Sequence, residues 1–204
     1  METNMLTARL TIRGVRPLLW HCFGPEALPL EKKERKGVAG NNPTEWKSTY
    51  RATEQRQLYL EPSNIFACAR DGAKYTKKGR GSIMTLVAAT LQVVENQVLI
   101  NRFIPEDSDL TTNPEAEVYL DVRGVRNPSN KARNVRYRIA ASSGWIATFH
   151  VTWDKTIVSR NEMHAVFIDA GRLCGVGNGR SIGFGKFEVE EFEVVENAEE
   201  QTAA

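Results

Sequence analysis

Five glycines fall within the eleven residues 175–185, and this segment restricts the possible folds of the chain more than any other. A helix is predicted before it, because Ser159 and Glu162 have capping-box spacing and apolar residues then recur at helical intervals. A strand is predicted after it, over Phe187–Val195. A helix C-cap at Gly175 and a tight turn would explain one or two glycines. Five glycines indicate instead a loop with positive φ angles, or a backbone that a partner approaches closely.

Two well-known glycine motifs do not fit this segment. A P-loop requires Gly-Lys-Ser or Gly-Lys-Thr, which the sequence lacks. A dinucleotide-binding fingerprint requires a strand before the glycines and a helix after them, which is the reverse of the predicted order. Successive amides of a loop can nevertheless cradle a phosphate, and Arg180 would add a charge-assisted contact. The pattern is therefore compatible with a loop that binds an anion.

The rest of the chain predicts an α+β fold with the order βαββαβ. Strands are predicted where apolar and polar side chains alternate, most clearly over 145–153. Segment 14–60 shows neither the helical nor the strand periodicity of apolar residues, and it is predicted to be a loop or insertion. Residues 117–140 are predicted to be a β-hairpin. A ferredoxin-like (RRM-like) single domain over 1–196 follows, with a disordered tail at 197–204. The other predicted elements are strands at 6–12 and 98–103 and helices at about 63–74, with Ser63 as N-cap, and at 82–93.

The composition argues against several classes of protein. The chain has 41% hydrophobic and 25% charged residues, and no run approaches the roughly 20 apolar residues of a membrane span. Its N-terminus lacks the features of a secretory signal, and its three cysteines lie far apart. We therefore expect a soluble, cytoplasmic protein with no disulfide framework, no metal site and no cofactor.

Basic residues are concentrated in two blocks, although the net charge is only +2. Residues 123–138 contain six basic residues and no acid, and residues 73–80 contain four and no acid. Residues 188–200, in contrast, contain seven glutamates. Basic blocks can concentrate a polyanion on one face of a nearly neutral protein. Exposed segments are often charged in any case, so the blocks alone favour neither explanation.

The glycine segment resembles the glycine-rich loop of the RAMP superfamily, the RNA-binding proteins of CRISPR systems. Gly-Val-Gly at 175–177 and Gly-Phe-Gly at 183–185 enclose five residues that include Arg180. In that superfamily the loop follows the last helix and precedes the last strand of a ferredoxin-like or RRM-like domain. The resemblance is specific over the loop and its flanks, and elsewhere it concerns only the order of the elements.

The resemblance implies a non-catalytic backbone subunit, which coats guide RNA as a filament and uses a β-hairpin thumb. The predicted ligand is single-stranded nucleic acid, either guide RNA or the single-stranded DNA of a phage or mobile element. The predicted partners are further copies of the chain or other subunits of a ribonucleoprotein complex. The candidate nucleic-acid-binding residues are Gly175, Gly177, Asn178, Gly179, Arg180, Ser181, Gly183 and Gly185 in the loop, Arg123, Arg126, Lys131, Arg133, Arg136 and Arg138 in the hairpin, and Lys74, Lys77, Lys78 and Arg80 between the predicted helices.

Two other functions are compatible with the sequence. One branch of the superfamily consists of endoribonucleases that often use a histidine after the first strand, and His21 is the only candidate there. His21 lies in an apolar run, however, where a histidine is more often packed than catalytic. Some backbone subunits cut target RNA with an aspartate in the segment after the first strand. The sequence does not support that activity here, because the first aspartate of the chain is Asp71. The last alternative is a structural subunit that binds only proteins.

Four aromatic residues lie in or beside the predicted loops, namely Trp20, Trp46, Tyr50 and Tyr75. Stacking on a base would contribute about 1–3 kcal/mol for each base. Local packing is the more common role for any one aromatic residue of this kind.

Overall fold

The computed structural model describes residues 4–22, 43–126 and 133–195. The elements are β1 (Met5–Gly14), β2 (Leu18–Leu19), β3 (Gln57–Leu60), α1 (Pro62–Gly72), β4 (Lys77–Lys78), β5 (Gly81–Ser82), α2 (Met84–Thr90), β6 (Gln92–Val93), β7 (Val98–Phe103), β8 (Val118–Arg126), β9 (Arg133–Ala141), β10 (Ile146–Asp154), α3 (Arg160–Asp169) and β11 (Phe187–Val195). Short helical turns lie at Glu45–Ser48, Ala170–Cys174 and Arg180–Ile182. The α+β class is confirmed. No helix among the described residues is long and apolar enough to cross a membrane.

The central sheet has the strand order β11–β1–β10–β7–β3, with antiparallel neighbours and with β6 also paired to β10. Leu10 and Phe149 lie opposite each other in β1 and β10, and therefore face the same side of the sheet. Both are buried, and the Phe149 ring lies 6.1 Å from the ring of Phe167 in α3. Burial of each such side chain stabilises the fold by about 1.5–3 kcal/mol. The alternation predicted over 145–153 therefore determines which face of the sheet α3 covers.

A second sheet contains the predicted hairpin. It has the order β2–β9–β8, and the register of β8 and β9 is regular up to Arg126 opposite Arg133. The hairpin prediction is confirmed for both strands, whereas the tip with Lys131 lies outside the described residues. Because β2 pairs with β9, the hairpin is attached to the segment that directly follows β1.

Two helices differ from their predicted bounds. The N-cap of α1 is Glu61 rather than Ser63, and Pro62 occupies the first helical position. Proline is favoured there because its ring fixes a helical φ and its missing amide would have no partner. The predicted helix 82–93 is too long, because α2 ends at Thr90 and Leu91 is extended. The next two residues form β6 and pair with β10, a long-range contact that overrides the local apolar pattern.

Segment 14–60 contains strands that its sequence did not indicate. β2 pairs with β9, and β3 pairs with β7 in the central sheet. These strands are two and four residues long, which is too short for a periodic pattern to be recognised. Residues 23–42 and the predicted tail at 197–204 lie outside the described part of the chain.

Candidate nucleic-acid interface

The glycine loop, residues 175–185, has a left-handed backbone at every glycine. The φ angles are 81° at Gly175, 76° at Gly177, 73° at Gly179, 92° at Gly183 and 68° at Gly185. A Cβ at Gly185 would lie 1.8 Å from the carbonyl oxygen of Val176, so both the angle and the available space require glycine. A Cβ at Gly183 would meet nothing within 4 Å, so the angle alone requires glycine there. The expectation of positive φ angles is confirmed.

Main-chain hydrogen bonds hold the glycine loop against the segment after β1. The amide of Asn178 donates to the carbonyl oxygen of Leu19 at 2.8 Å, and the amide of Gly185 donates to that of Pro17 at 2.8 Å. Within the loop, the amide of Val176 donates to the carbonyl oxygen of Gly185 at 2.9 Å. Most glycines of the loop are therefore needed because the loop packs closely against its own protein. Gly183 is the loop glycine whose surroundings are open.

A buried ion pair within the hairpin is joined to the glycine loop by a hydrogen bond. The Asp121 carboxylate accepts a hydrogen bond from Arg138 at 2.9 Å, and the two side chains are 3% and 5% exposed. Arg138 also donates to the side-chain oxygen of Asn178 at 2.8 Å. The sequence predicts a phosphate contact for Arg138, but its burial opposite Asp121 in the β8–β9 register gives it a positioning role.

The helix-side groove is a cavity of about 480 Å³ between the glycine loop and the end of α1. The residues on its walls include Asp71, Lys74, Tyr75, Leu173, Arg180 and Ser181. Lys74 follows α1, whereas Arg180 and Ser181 lie in the glycine loop, so the fold brings these predicted site residues to one surface. The groove is open to a ligand that carries negative charge and an apolar part.

Asp71 organises the cations of the helix-side groove. Its carboxylate accepts from Lys74 at 2.9 Å, from Arg180 at 3.2 Å and from Arg70 at 3.4 Å. Partial burial acts to raise the pKa of Asp71, but the hydrogen bond from Lys74 and the neighbouring positive charges lower that pKa below its usual value. Three cations around one ionised carboxylate leave an excess of positive charge at the groove.

The hairpin-side groove is a second cavity and has a volume of about 410 Å³. Arg16, Tyr119 and Arg123 line it together with residues 182–184 of the loop. The guanidinium of Arg123 lies 4.6 Å from the centre of the Phe184 ring and also donates to Asp121 at 2.8 Å. Successive parts of the glycine loop therefore line two grooves, and each groove has basic side chains on its walls.

The hairpin presents two pairs of arginines in register. Arg123 lies opposite Arg136, and Arg126 lies opposite Arg133. Because successive residues of a strand point to opposite faces, Arg123 and Arg136 share the face of the Asp121–Arg138 pair, and the other two lie on the reverse face. The hairpin therefore carries arginines on both of its faces.

The remaining predicted cations form a separate strip. Lys77 and Lys78 are exposed in β4, and Arg80 is exposed in the turn that leads to β5. The ammonium group of Lys78 contacts Glu162 of α3 at 3.2 Å. These residues follow Lys74 in the chain, and Lys78 reaches the first turn of α3, where Glu162 offsets its charge.

The three histidines form no group with one another. His21 is half-buried after β2, with a buried Nε2, and its role in RNA cleavage stays a prediction. The Nδ1 of His150 lies 2.7 Å from the carboxylate of Glu95, which is 55 residues away in the chain. His164 stacks on Phe192. Within the described ranges, no cluster of three or more histidine, cysteine, aspartate or glutamate side chains could hold a metal.

Sequence reasoning did not predict several groove residues. The sequence around Asp71 could have indicated its role, because the acid lies between the basic residues Arg70 and Lys74 at the end of α1. Arg16 also has one, since it precedes Pro17 at the end of the first strand pattern. Leu173 has none, because only the packing of residues 170–174 beside the loop brings it to the helix-side groove.

No protein-family model matches the chain, and no curated protein sequence matches it. The solved structures that are similar to it include the following two. One is a Type III-B Cmr-beta bound to cognate target RNA, with 11% identity, a TM-score of 0.47, and coverage of 94% of this chain and 61% of that chain. The other is Cmr6 from Pyrococcus furiosus, with 10% identity, a TM-score of 0.49, and coverage of 94% and 100%.

This chain thus spans 61% of the length of the matched Cmr-beta chain. Because both TM-scores lie below 0.5, the function proposed below rests on the geometry of the glycine loop and its grooves.

Proposed function

We propose that the chain binds single-stranded nucleic acid, with guide RNA as the ligand, as a non-catalytic backbone-type subunit of a CRISPR ribonucleoprotein. One observation carries the proposal: successive parts of the glycine loop line two grooves, with Lys74 and Arg180 in one and Arg16 and Arg123 in the other. A polyanion that crosses the loop would meet basic side chains in both grooves.

The open space at Gly183 supports this path. A residue with a side chain at that position would project into the surface over which the ligand has to pass, whereas glycine lets a sugar-phosphate backbone approach the main chain. The hairpin adds further arginines beside the hairpin-side groove, where Arg123 lines the wall and lies opposite Arg136 in the register of β8 and β9.

The proposed domain type is ferredoxin-like. The core order β1, α1, β7, β10, α3 and β11 fits the βαββαβ plan, in which β2, β3 and the β8–β9 hairpin are additions. In this arrangement the glycine loop joins the last helix to the last strand, beside the end of the first strand. A backbone subunit would additionally form a filament along its ligand, with copies joined head to tail.

The test is the salt dependence of binding to a fluorescent single-stranded RNA. Each phosphate contact should contribute about −0.7 to the slope of log K against log salt. We expect Arg180→Ala to weaken binding about tenfold at low salt, which corresponds to the roughly 1.5 kcal/mol of a charge-assisted contact, and to reduce the slope by about 0.7.

Arg9→Ala is the matched control for Arg180→Ala. Arg9 is likewise half-buried and forms an ion pair, with Glu191 at 3.1 Å, but it lies on the sheet face opposite the helices. The control should leave affinity and slope unchanged. A salt-independent affinity, or no binding of RNA or DNA at low salt, would contradict the proposed function. Stronger binding to DNA of the same sequence would identify DNA, rather than RNA, as the ligand.

A further inference from the structure

The helix-side groove contains two exposed apolar side chains in addition to its charges. Tyr75 is 54% exposed and Leu173 is 47% exposed, and both line this groove. Single exposed hydrophobic residues are common on protein surfaces and require no explanation. Here, however, an aromatic and an aliphatic side chain line one concave site beside Lys74 and Arg180. That combination fits a ligand with both an apolar ring and an anionic group.

The main chain around Tyr75 is held in place from both sides. The Tyr75 amide donates to the carbonyl oxygen of Gly72 at 2.9 Å, at the end of α1. The hydroxyl of the next residue, Thr76, donates to the Asp169 carboxylate at 2.7 Å. A ring mounted on an anchored backbone loses less conformational entropy on binding than a ring on a flexible loop. Tyr75 is therefore placed as a preorganised surface for stacking.

The charges of the helix-side groove define what else the ligand carries. Arg70, Lys74 and Arg180 all contact Asp71, so these four side chains together have a net charge of two positive units. Lys74 and Arg180 line the groove, and a negative group next to the ring would contact both of them. A nucleotide within a strand has one flat base and one singly charged phosphodiester, and the groove volume of about 480 Å³ is in the range of sites for small ligands.

We propose that the helix-side groove holds one nucleobase of the bound strand, stacked on Tyr75, with the adjoining phosphate on Lys74 and Arg180. This assignment rests on the proposed function and names the part of the ligand that this groove takes. Every base has an aromatic face, so stacking here tolerates any sequence. The groove thus contributes affinity and fixes the position of one nucleotide, without reading its identity.

An oligonucleotide without bases tests the assignment. We would compare an ordinary single-stranded oligonucleotide of about 16 nucleotides, the upper end of known site sizes, with an abasic one of equal length and charge. Tyr75→Ala should weaken binding of the ordinary strand about 5- to 150-fold, the range found when stacking on a base is removed. The same variant should bind the abasic strand within about twofold of the unchanged protein, because the stacking partner is missing.

Two further variants make the result specific. Tyr75→Phe keeps the ring and should restore binding of the ordinary strand. Phe103→Ala removes an aromatic side chain that is 56% exposed elsewhere, in β7, and should affect neither strand. Because Tyr75 is largely exposed, Tyr75→Ala should fold with an unchanged circular dichroism spectrum.

The outcomes separate this assignment from the proposed function. If the unchanged protein binds neither strand at low salt, both fail. If it binds the strands but Tyr75→Ala changes neither affinity, the nucleic-acid function stands and the stacking assignment is overturned. If Tyr75→Ala weakens both strands equally, the residue acts on the phosphate path, and the base assignment is again overturned.

Discussion

At the scale of single residues, the glycines of the loop have two different reasons to be glycine. The carbonyl oxygen of Val176 fills the space where a side chain at Gly185 would lie. At Gly183 that space is open, and only the φ of 92° disfavours other residues. The first position is therefore required by the fold, whereas the second combines a conformational requirement with an accessible main chain.

Alanine substitutions should distinguish these two positions. Gly183→Ala should lower the free energy of unfolding by about 1–2 kcal/mol, the cost of a left-handed backbone for a residue with a Cβ. Gly185→Ala should lower it further, because the added Cβ also overlaps the Val176 carbonyl group. Urea denaturation of both variants measures the difference. Equal losses would show that packing at Gly185 is not the deciding constraint.

At the scale of elements, the hairpin and the glycine loop form one unit. Arg138 in β9 bonds to Asp121 in β8 and to Asn178 in the loop. Local patterns predicted both elements but not this link, since a strand pattern assigns Arg138 to a face without showing what covers that face. The sequence therefore identified a basic hairpin correctly while placing one of its arginines at the surface.

The buried ion pair should show strong coupling between its partners. Asp121→Leu leaves the Arg138 charge buried without its carboxylate, and we expect a loss of about 3–5 kcal/mol in the free energy of unfolding. Replacing both residues, with Asp121→Leu and Arg138→Met, should recover much of that loss because no charge remains buried. Urea denaturation of the single and double variants checks this. Additive losses in the double variant would contradict a direct pairing.

At the scale of the whole molecule, the proposed filament predicts cooperative binding. On a long single strand, successive copies should bind with a site size of about 4–16 nucleotides, in the range of single-strand-binding folds. A head-to-tail contact that does not close into a ring permits this repetition. Sedimentation velocity with strands of increasing length measures the number of bound copies. One copy on every strand, whatever its length, would contradict the filament while leaving single-copy binding intact.

The predictability of the fold depends on the range of the contacts involved. The alternation over 145–153 and the Ser159–Glu162 capping box are local signals, and both elements are found as predicted. β2, β3 and β6 are short and exist because distant strands pair with them, so no local pattern announces them. The same holds for the site: the loop glycines were evident, whereas the meeting of Arg180 with Asp71 required the folded chain.

The Asp121–Arg138–Asn178 link also limits how the sequence can drift. Loss of Asp121 leaves the Arg138 charge buried without its carboxylate, and loss of Arg138 removes one donor to Asp121 and the donor to the Asn178 side chain. A change at 178 removes the side-chain hydrogen bond between the loop and the hairpin. We expect single replacements at these three positions to be destabilising and compensating changes to occur together. The three positions would then change as a set, although the first and the last lie 57 positions apart in the chain.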